Sequence, residues 1–308
     1  MIIINKVFIV APTFKEPDNV ERLLQSIISQ NIQAQVSVFI CNSNPGDRTS
    51  FIISNLSKSG INIFELEGCP EEYWSATVNR GLVKAMQEGD DNDVVVVLNV
   101  DIVLDKDALA NLLLKHREYG GQCQLGGLGH ADGAYVPSGF RITNRWLALN
   151  LHPFSGLPVA SSSIEQLESV DALVGRLFAV PVRAVRHVGL IPVEKFPHYN
   201  ADLVYSFIIA RSGFPAYIVP SVGYESDREN TGFSVYSGHS KNILFRLRYL
   251  FSIKNPSNPS FRFRYIKAVF PYYLWPSVCL SYVVRTFLEV LLGGDGIRHL
   301  FGKNGRGY

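Results

Sequence analysis

The sequence is short of the groups on which several large functional classes depend. Only 18% of its 308 residues are charged and the net charge is +2, too small and too balanced a charge for a nucleic-acid binder. Four cysteines, at 41, 69, 123 and 279, are scattered, with no CxxC pair and no histidine cluster at zinc spacing. That excludes a disulfide framework and a Cys/His zinc site, and suits reduced cytosolic thiols. No G-x-G-x-x-G follows the first predicted strand and no G-x-x-x-x-G-K-[ST] occurs, which disfavours a dinucleotide turn and a P-loop. Internal repeats and low-complexity segments are missing too. The first ten residues carry one lysine and no small-residue cleavage site before Pro12; they read as a strand, not a leader. One further absence is local. From Asn230 to Leu288 there is no Asp or Glu, against eight Lys or Arg.

What is present is organised around Val94-Val95-Val96-Val97-Leu98-Asn99-Val100-Asp101. An apolar, β-branched run this short reads as a strand buried on both faces in a parallel sheet. Alternation sends Asn99 and Asp101 to one side where the strand gives out, and ligands bind beyond the carboxyl ends of such strands. Asp101 is read either as a turn carboxylate or as a ligand for Mg²⁺ or Mn²⁺ on a diphosphate. Asp105 is the expected N-cap of a helix running to about His116.

Around this strand, apolar strands and helical patterns alternate. Lys6 to Ala11 precedes Pro12-Thr13-Phe14-Lys15-Glu16, and Asp18 is placed to cap a helix. Val36 to Cys41 ends in Asn42-Ser43, a helix is expected from about Arg48 to Lys58, and Ile61 to Leu66 follows. The loop holding Tyr73-Trp74-Ser75 enters a helix with Asn79 in it. This βα alternation predicts an α/β fold with a mostly parallel sheet flanked by helices. Past Gln122, Tyr135 to Thr143 reads as strand, Asn144 to Glu165 as loop, and Val170 to Pro181 as one strand interrupted by Gly175-Arg176. A glycine there signals a bulge or a close approach. Phe196-Pro197-His198-Tyr199-Asn200-Ala201-Asp202 opens a helix capped by Asn200. Asp202 is either a dipole-favoured first-turn acid or a general base.

In their order and spacing these stretches resemble the family 2 inverting glycosyltransferases over about Lys6 to Tyr224. The resemblance implies the GT-A nucleotide-diphospho-sugar transferase fold, with a nucleotide-sugar half at about 1–120 and an acceptor half at about 121–235. By that resemblance Pro12, Thr13, Glu16, Asn42, Ser43, Trp74, Asn79, Asn99 and Asp101 bind the donor. Trp74, Gly175, Arg176, His198 and Tyr199 face the acceptor, and Asp202 is the catalytic base. Asp101 ligates Mg²⁺ or Mn²⁺, with His239 a further candidate that is otherwise an exposed loop histidine. Asn99 stands at the first position of the family's D-x-D, and Asn42 replaces its usual Asp. An amide ligates metal without charge, so Asp101 carries most of that duty. The processive synthases' Q-x-x-R-W is missing, which implies addition of one or a few sugars.

Residues 236–308 are expected to form a basic, aromatic-rich helical region. The apolar stretch Ala268 to Gly294 is interrupted by Pro271, Pro276, Arg285 and Glu289, so it suits an amphipathic anchor in the interface better than a clean span. Packing on the catalytic domain, or a homodimer contact, is the bland alternative. A membrane anchor implies a lipid-linked or oligosaccharide acceptor in O-antigen or capsule synthesis, with the protein peripheral on the inner face of the cell membrane. Two other functions compete: an inactive membrane partner of the same fold, and a nucleotidyltransferase. The latter lacks a glycine-rich triphosphate loop after the first strand.

Overall fold

The computed structural model describes residues 2–56, 60–159, 164–227, 243–253, 255 and 257–301. The first half runs β1 (Lys6–Thr13), α1 (Pro17–Ile28), β2 (Gln35–Asn42), α2 (Thr49–Leu56), β3 (Asn62–Glu67), α3 (Trp74–Glu88), β4 (Val94–Leu98), β5 (Ile102–Leu104) and α4 (Ala108–Glu118). The second half begins with β6 (Gln124–Ala131), β7 (Ala134–Tyr135), β8 (Gly139–Asn144) and β9 (Leu149–Leu151). It continues with β10 (Glu168–Val170), β11 (Ala172–Leu173), β12 (Leu177–Pro181), α5 (Val182–Val188), α6 (Ala201–Arg211) and β13 (Ala216–Ser226). Three helices close the described chain: α7 (Ile243–Leu250), α8 (Pro259–Val269) and α9 (Trp275–Phe301).

The main sheet is ordered β10-β13-β6-β12-β4-β1-β2-β3, and β11-β8-β9 make a small second sheet. β1 pairs in parallel with both β2 and β4, and β2 with β3. β12 is the antiparallel intruder between β4 and β6. The valine run behaves as its composition requires. All five residues of β4 are fully buried, Val95 and Val97 in one core cluster and Val94, Val96 and Leu98 in the other. At roughly 1.5–3 kcal/mol per fully buried large aliphatic side chain, this strand is a main source of stability.

Just before it, Asp93 is buried, and its carboxylate accepts the backbone N–H groups of Asn5 (3.1 Å), Lys6 (2.9 Å) and Asp90 (2.8 Å). It fixes the register at which β1 meets β4. Asp93→Ala strands three donors and is expected to lower stability by about 3 kcal/mol, read as the shift in a urea midpoint at unchanged slope.

Several local expectations are revised. α1 starts at Pro17 with Glu16 at the N-cap and no side-chain cap bond; Asp18 lies in its first turn and pairs with Arg48. The N-cap of α4 is Asp107, in a left-handed conformation (φ 60°). Asp105 instead takes the Nε2 of His130 at 3.1 Å, an attraction from a different strand that outweighs local capping. Asn200 does hold the N-cap position of α6, again with positive φ (63°), but its side chain makes no cap bond. The stretch 144–165 is not all loop, because Leu149–Leu151 pairs with β8 in a hairpin. Val170 to Pro181 is not one strand: β10 and β12 lie in the main sheet and β11 in the small one, with Gly175-Arg176 in the passage between. The C-terminal helices pack on the catalytic domain, the alternative the sequence leaves open beside a membrane anchor. Tyr265, Ile266 and Val269 of α8, with Val278 and Tyr282 of α9, share one buried cluster with Tyr205 and Ile209 of α6.

Candidate active site

The ends of β1, β2 and β4, the start of α3 and the start of α6 converge on one edge of the sheet. β12 runs antiparallel against β4, so the residues ahead of it meet the residues that leave β4. Asn99 donates its backbone N–H to the Arg176 carbonyl at 3.1 Å. The Trp74 indole Nε1 donates to Asn99 Oδ1 at 3.0 Å, which ties the first turn of α3 to the end of β4. Ser75 binds the opposite side: its N–H donates to the Pro197 carbonyl at 3.1 Å and its Oγ to the Phe196 carbonyl. α3 is thereby clamped to the loop that leads into α6.

Gly175 shows why its position needs no side chain. Its N–H donates to Asp202 Oδ2 at 2.7 Å. A Cβ there would lie 2.8 Å from Asp202 Cβ and 3.0 Å from Trp74 Cζ2, closer than packed carbons come. Gly175 thus lies against two residues distant in sequence, Trp74 and Asp202. Asp202 keeps a partly exposed surface. Burial raises its pKa, against the backbone N–H of Gly175 and the charge of Arg176.

Asp101 shares the charge of Arg176 with Asp202. Burial pushes its pKa up to about 6; the Arg176 guanidinium opposes the shift, while Glu16 and Asp227 add to it. Its Oδ1 is buried with no hydrogen-bond partner. An orphaned carboxylate oxygen with two further carboxylates nearby fits a hard divalent cation, whose charge relieves both penalties. Among the described residues no three His, Cys, Asp or Glu side chains form a complete cage. That suits an ion taking its other ligands from phosphate and water. His239 lies outside the described residues.

Arg176 is held by the Pro137 carbonyl at 3.1 Å, and its charge lies near Tyr224, a buried residue of β13 that is also near Asp101 and whose hydroxyl is 3.5 Å from Ser138 Oγ. Tyr224 gave no signal in the sequence. It reaches the site because β13 pairs with β6, far away in the chain.

The remaining candidates divide by what already occupies their polar atoms. Thr13 Oγ1 is buried and without a partner, and Pro12 and Glu16 are half-buried beside it, with Glu16 accepting from Asn19 at 3.0 Å. Asn42 spends its amide inside the protein, donating to Glu65 (2.8 Å) and Asp47 (3.3 Å) and accepting from the Asn44 N–H (2.9 Å). Ser43 Oγ is 2.8 Å from Thr77 Oγ1. Asn79 clamps the backbone of Ile191 with both ends of its amide, at 2.9 and 3.0 Å. These three build the loops around the site. His198 sits between the rings of Tyr73 and Tyr199, 6.0 and 4.7 Å away.

A mixed, mostly parallel sheet with a carboxylate pair at its ligand edge and helices on both faces is the GT-A glycosyltransferase fold. Residues 8–152 match the model described as glycosyl transferase family 2, so this stretch carries a family 2 glycosyltransferase sequence. Gly175, Arg176 and Asp202 fall beyond the match.

Solved structures agree on the fold. One is GalNAc-T7 with UDP, GalNAc and Mn²⁺, at 13% identity and a TM-score of 0.57, covering 92% of this chain and 57% of that one. A second is the mannosyltransferase PcManGT from Pyrobaculum calidifontis with GDP-Man and Mn²⁺ (15%, TM-score 0.53, 96% and 75%). A third is S. aureus TarS 1-349 (14%, TM-score 0.57, 96% and 92%). The chain therefore spans little more than half of the GalNAc-T7 chain it resembles. No curated protein matches the sequence.

Proposed function

We propose that the protein is an inverting, non-processive glycosyltransferase. It moves a sugar from a nucleotide-diphospho-sugar to a hydroxyl of a lipid-linked or oligosaccharide acceptor, in O-antigen or capsule synthesis at the inner face of the cell membrane. The observation that carries this reading is the contact of Gly175 with Asp202 and Trp74, together with the orphaned carboxylate of Asp101. Asp202 takes the proton from the acceptor hydroxyl, which attacks the anomeric carbon and inverts it. The Gly175 N–H holds the base in place, and the Trp74 ring offers a flat apolar wall for a sugar. Asp101, with Asn99 beside it, would hold Mg²⁺ or Mn²⁺. When bound, such an ion neutralises the diphosphate leaving group. The Mn²⁺ named with GalNAc-T7 and PcManGT supports this choice.

The test is release of nucleoside diphosphate from a panel of UDP-, dTDP- and GDP-linked sugars with Mn²⁺ or Mg²⁺. Release from one donor, lost in Asp101→Ala, is the expected result. No release from any donor, and no thermal shift with any nucleotide, would identify an inactive partner protein instead. Gly175→Ala is expected to lower transfer at least about tenfold by displacing Asp202 or Trp74 from the attack geometry. Slow donor hydrolysis should persist in that variant, and comparison of the two rates checks the assignment.

A further inference from the structure

Exposed apolar side chains are concentrated at one end of the chain. Among the described residues, fourteen of the 27 exposed large hydrophobic side chains fall between Ile243 and Leu292, about a sixth of the protein, so this end differs in kind from the ordinary surface. On α9 the exposed large apolar residues include Leu280, Val283, Val284, Phe287 and Leu291, which lie on one side of the helix and make a stripe, with exposed Leu292 on its flank. The opposite side of the same helix, Val278 and Tyr282, is buried in the core. α7 adds a second stripe, Leu244, Leu247 and, just past its end, Phe251. It is joined to α9 by Arg246, whose Nη1 donates to the Val290 carbonyl at 2.7 Å. The tip of the β8–β9 hairpin borders this surface at the flank of α9. Ser281 Oγ and Arg285 Nη2 each donate to the Leu147 carbonyl at 2.8 Å, which sets exposed Trp146 and Leu147 beside the α9 stripe.

Resting on the membrane placement proposed above, we infer that these two stripes and the hairpin tip form one face that inserts into the interfacial layer of a phospholipid bilayer. Insertion of the apolar side chains holds it there, and charge attraction does so only secondarily. Residues Tyr272–Leu292 are long and apolar enough to cross a membrane. Yet Val278, Ser281, Tyr282 and Arg285 bind the catalytic domain along one side of α9, so the helix lies along the surface and offers lipid its other side. Much of the basic charge is turned inward. Arg246 and Arg285 bind backbone carbonyls and Arg262 lies over the Tyr282 ring (4.8 Å).

The occupant follows from charge. Arg248, Arg264 and Lys267 remain exposed in a segment with no acidic residue from Asn230 to Leu288, which complements headgroup phosphates. A second copy docked by a two-fold axis would set like charges against each other. Trp146, Tyr272 and Tyr273, all at least 60% exposed, are the amphipathic aromatics that favour the headgroup level.

The test is cosedimentation of the full chain with phosphatidylcholine/phosphatidylglycerol vesicles. Wild type should bind and stay bound in about 1 M salt, where charge attraction is screened within ~3 Å. Val283→Asp with Phe287→Asp should weaken binding by about 100-fold, with unchanged donor hydrolysis in the absence of vesicles. A second measurement needs no charged variant: bromine-labelled phosphatidylcholine should quench the part of the tryptophan emission that Trp146→Phe removes. No vesicle binding, or binding abolished by salt and indifferent to the double variant, would overturn the inference. So would a solution dimer that the double variant converts to monomer. Loss of donor hydrolysis in wild type would overturn the glycosyltransferase reading and leave the vesicle result standing.

Discussion

Asp202→Asn is expected to cut sugar transfer by about 10²- to 10⁴-fold, the usual contribution of a positioned base, and at the same time to make the protein harder to melt at neutral pH. The two effects share one cause. Burial raises the Asp202 pKa despite the Gly175 N–H and the Arg176 charge. In the unfolded chain the carboxyl ionises near its ordinary value; in the folded chain it ionises at higher pH. Between those two values the folded state holds the extra proton, so stability falls as pH rises through that window and stays lower above it. Asparagine never ionises, keeps the acceptor for the Gly175 N–H, and escapes the penalty. Melting curves of the two proteins should coincide in acid and separate as pH rises, with the variant above. Activity of the wild type should climb through the same window, since only the ionised carboxylate accepts a proton. Equal melting temperatures at pH 7 would mean that the folded protein does not resist ionisation at this position.

Such a site was partly legible in the sequence, and the parts that were legible have a common character. The valine strand, Asp101 at its exit and Asp202 at a helix start are local signals, and each stands where periodicity or capping put it. Gly175 was legible as a break in an apolar run; its reason, contact with Asp202 and Trp74, needed the fold. What was not legible depends on pairing between distant segments. Asp93 looks like one more turn acid until β1 lies beside β4 and its N–H groups reach it. Tyr224 is an ordinary strand tyrosine until β13 meets β6 and turns its hydroxyl toward Arg176. Asn42 and Asn79 stand where family resemblance expects donor contacts, yet the structure gives their amides to Glu65, Asp47 and Ile191. Asp105 stands at a capping position by local rules alone, and His130 reaches it from β6.

Asp101→Asn carries the second large expectation, and here the order of stabilities should reverse with ligand. In metal-free protein the wild-type carboxyl, pushed up to about 6 by burial and by the nearby Glu16 and Asp227, ionises about two pH units above its unfolded value. The penalty builds from about pH 4 to about pH 6 and is complete by pH 7, where it amounts to roughly 2–3 kcal/mol. In EDTA at pH 7 the asparagine variant should therefore melt several degrees higher than wild type, and at pH 4 the two should match. Adding Mn²⁺ with the matching nucleoside diphosphate should raise the wild-type midpoint, by an amount equivalent to about 2.7 kcal/mol at a hundredfold excess over Kd. The variant, left with two neutral amides, should respond little, and its transfer activity should fall by about 100-fold or more. Wild type melting above the variant in EDTA, or both gaining equally from Mn²⁺ and nucleotide, would remove Asp101 from the metal site. The reversal follows from one feature of the fold: a carboxylate oxygen is buried without a partner, a cost in the empty protein that only a cation can turn to advantage.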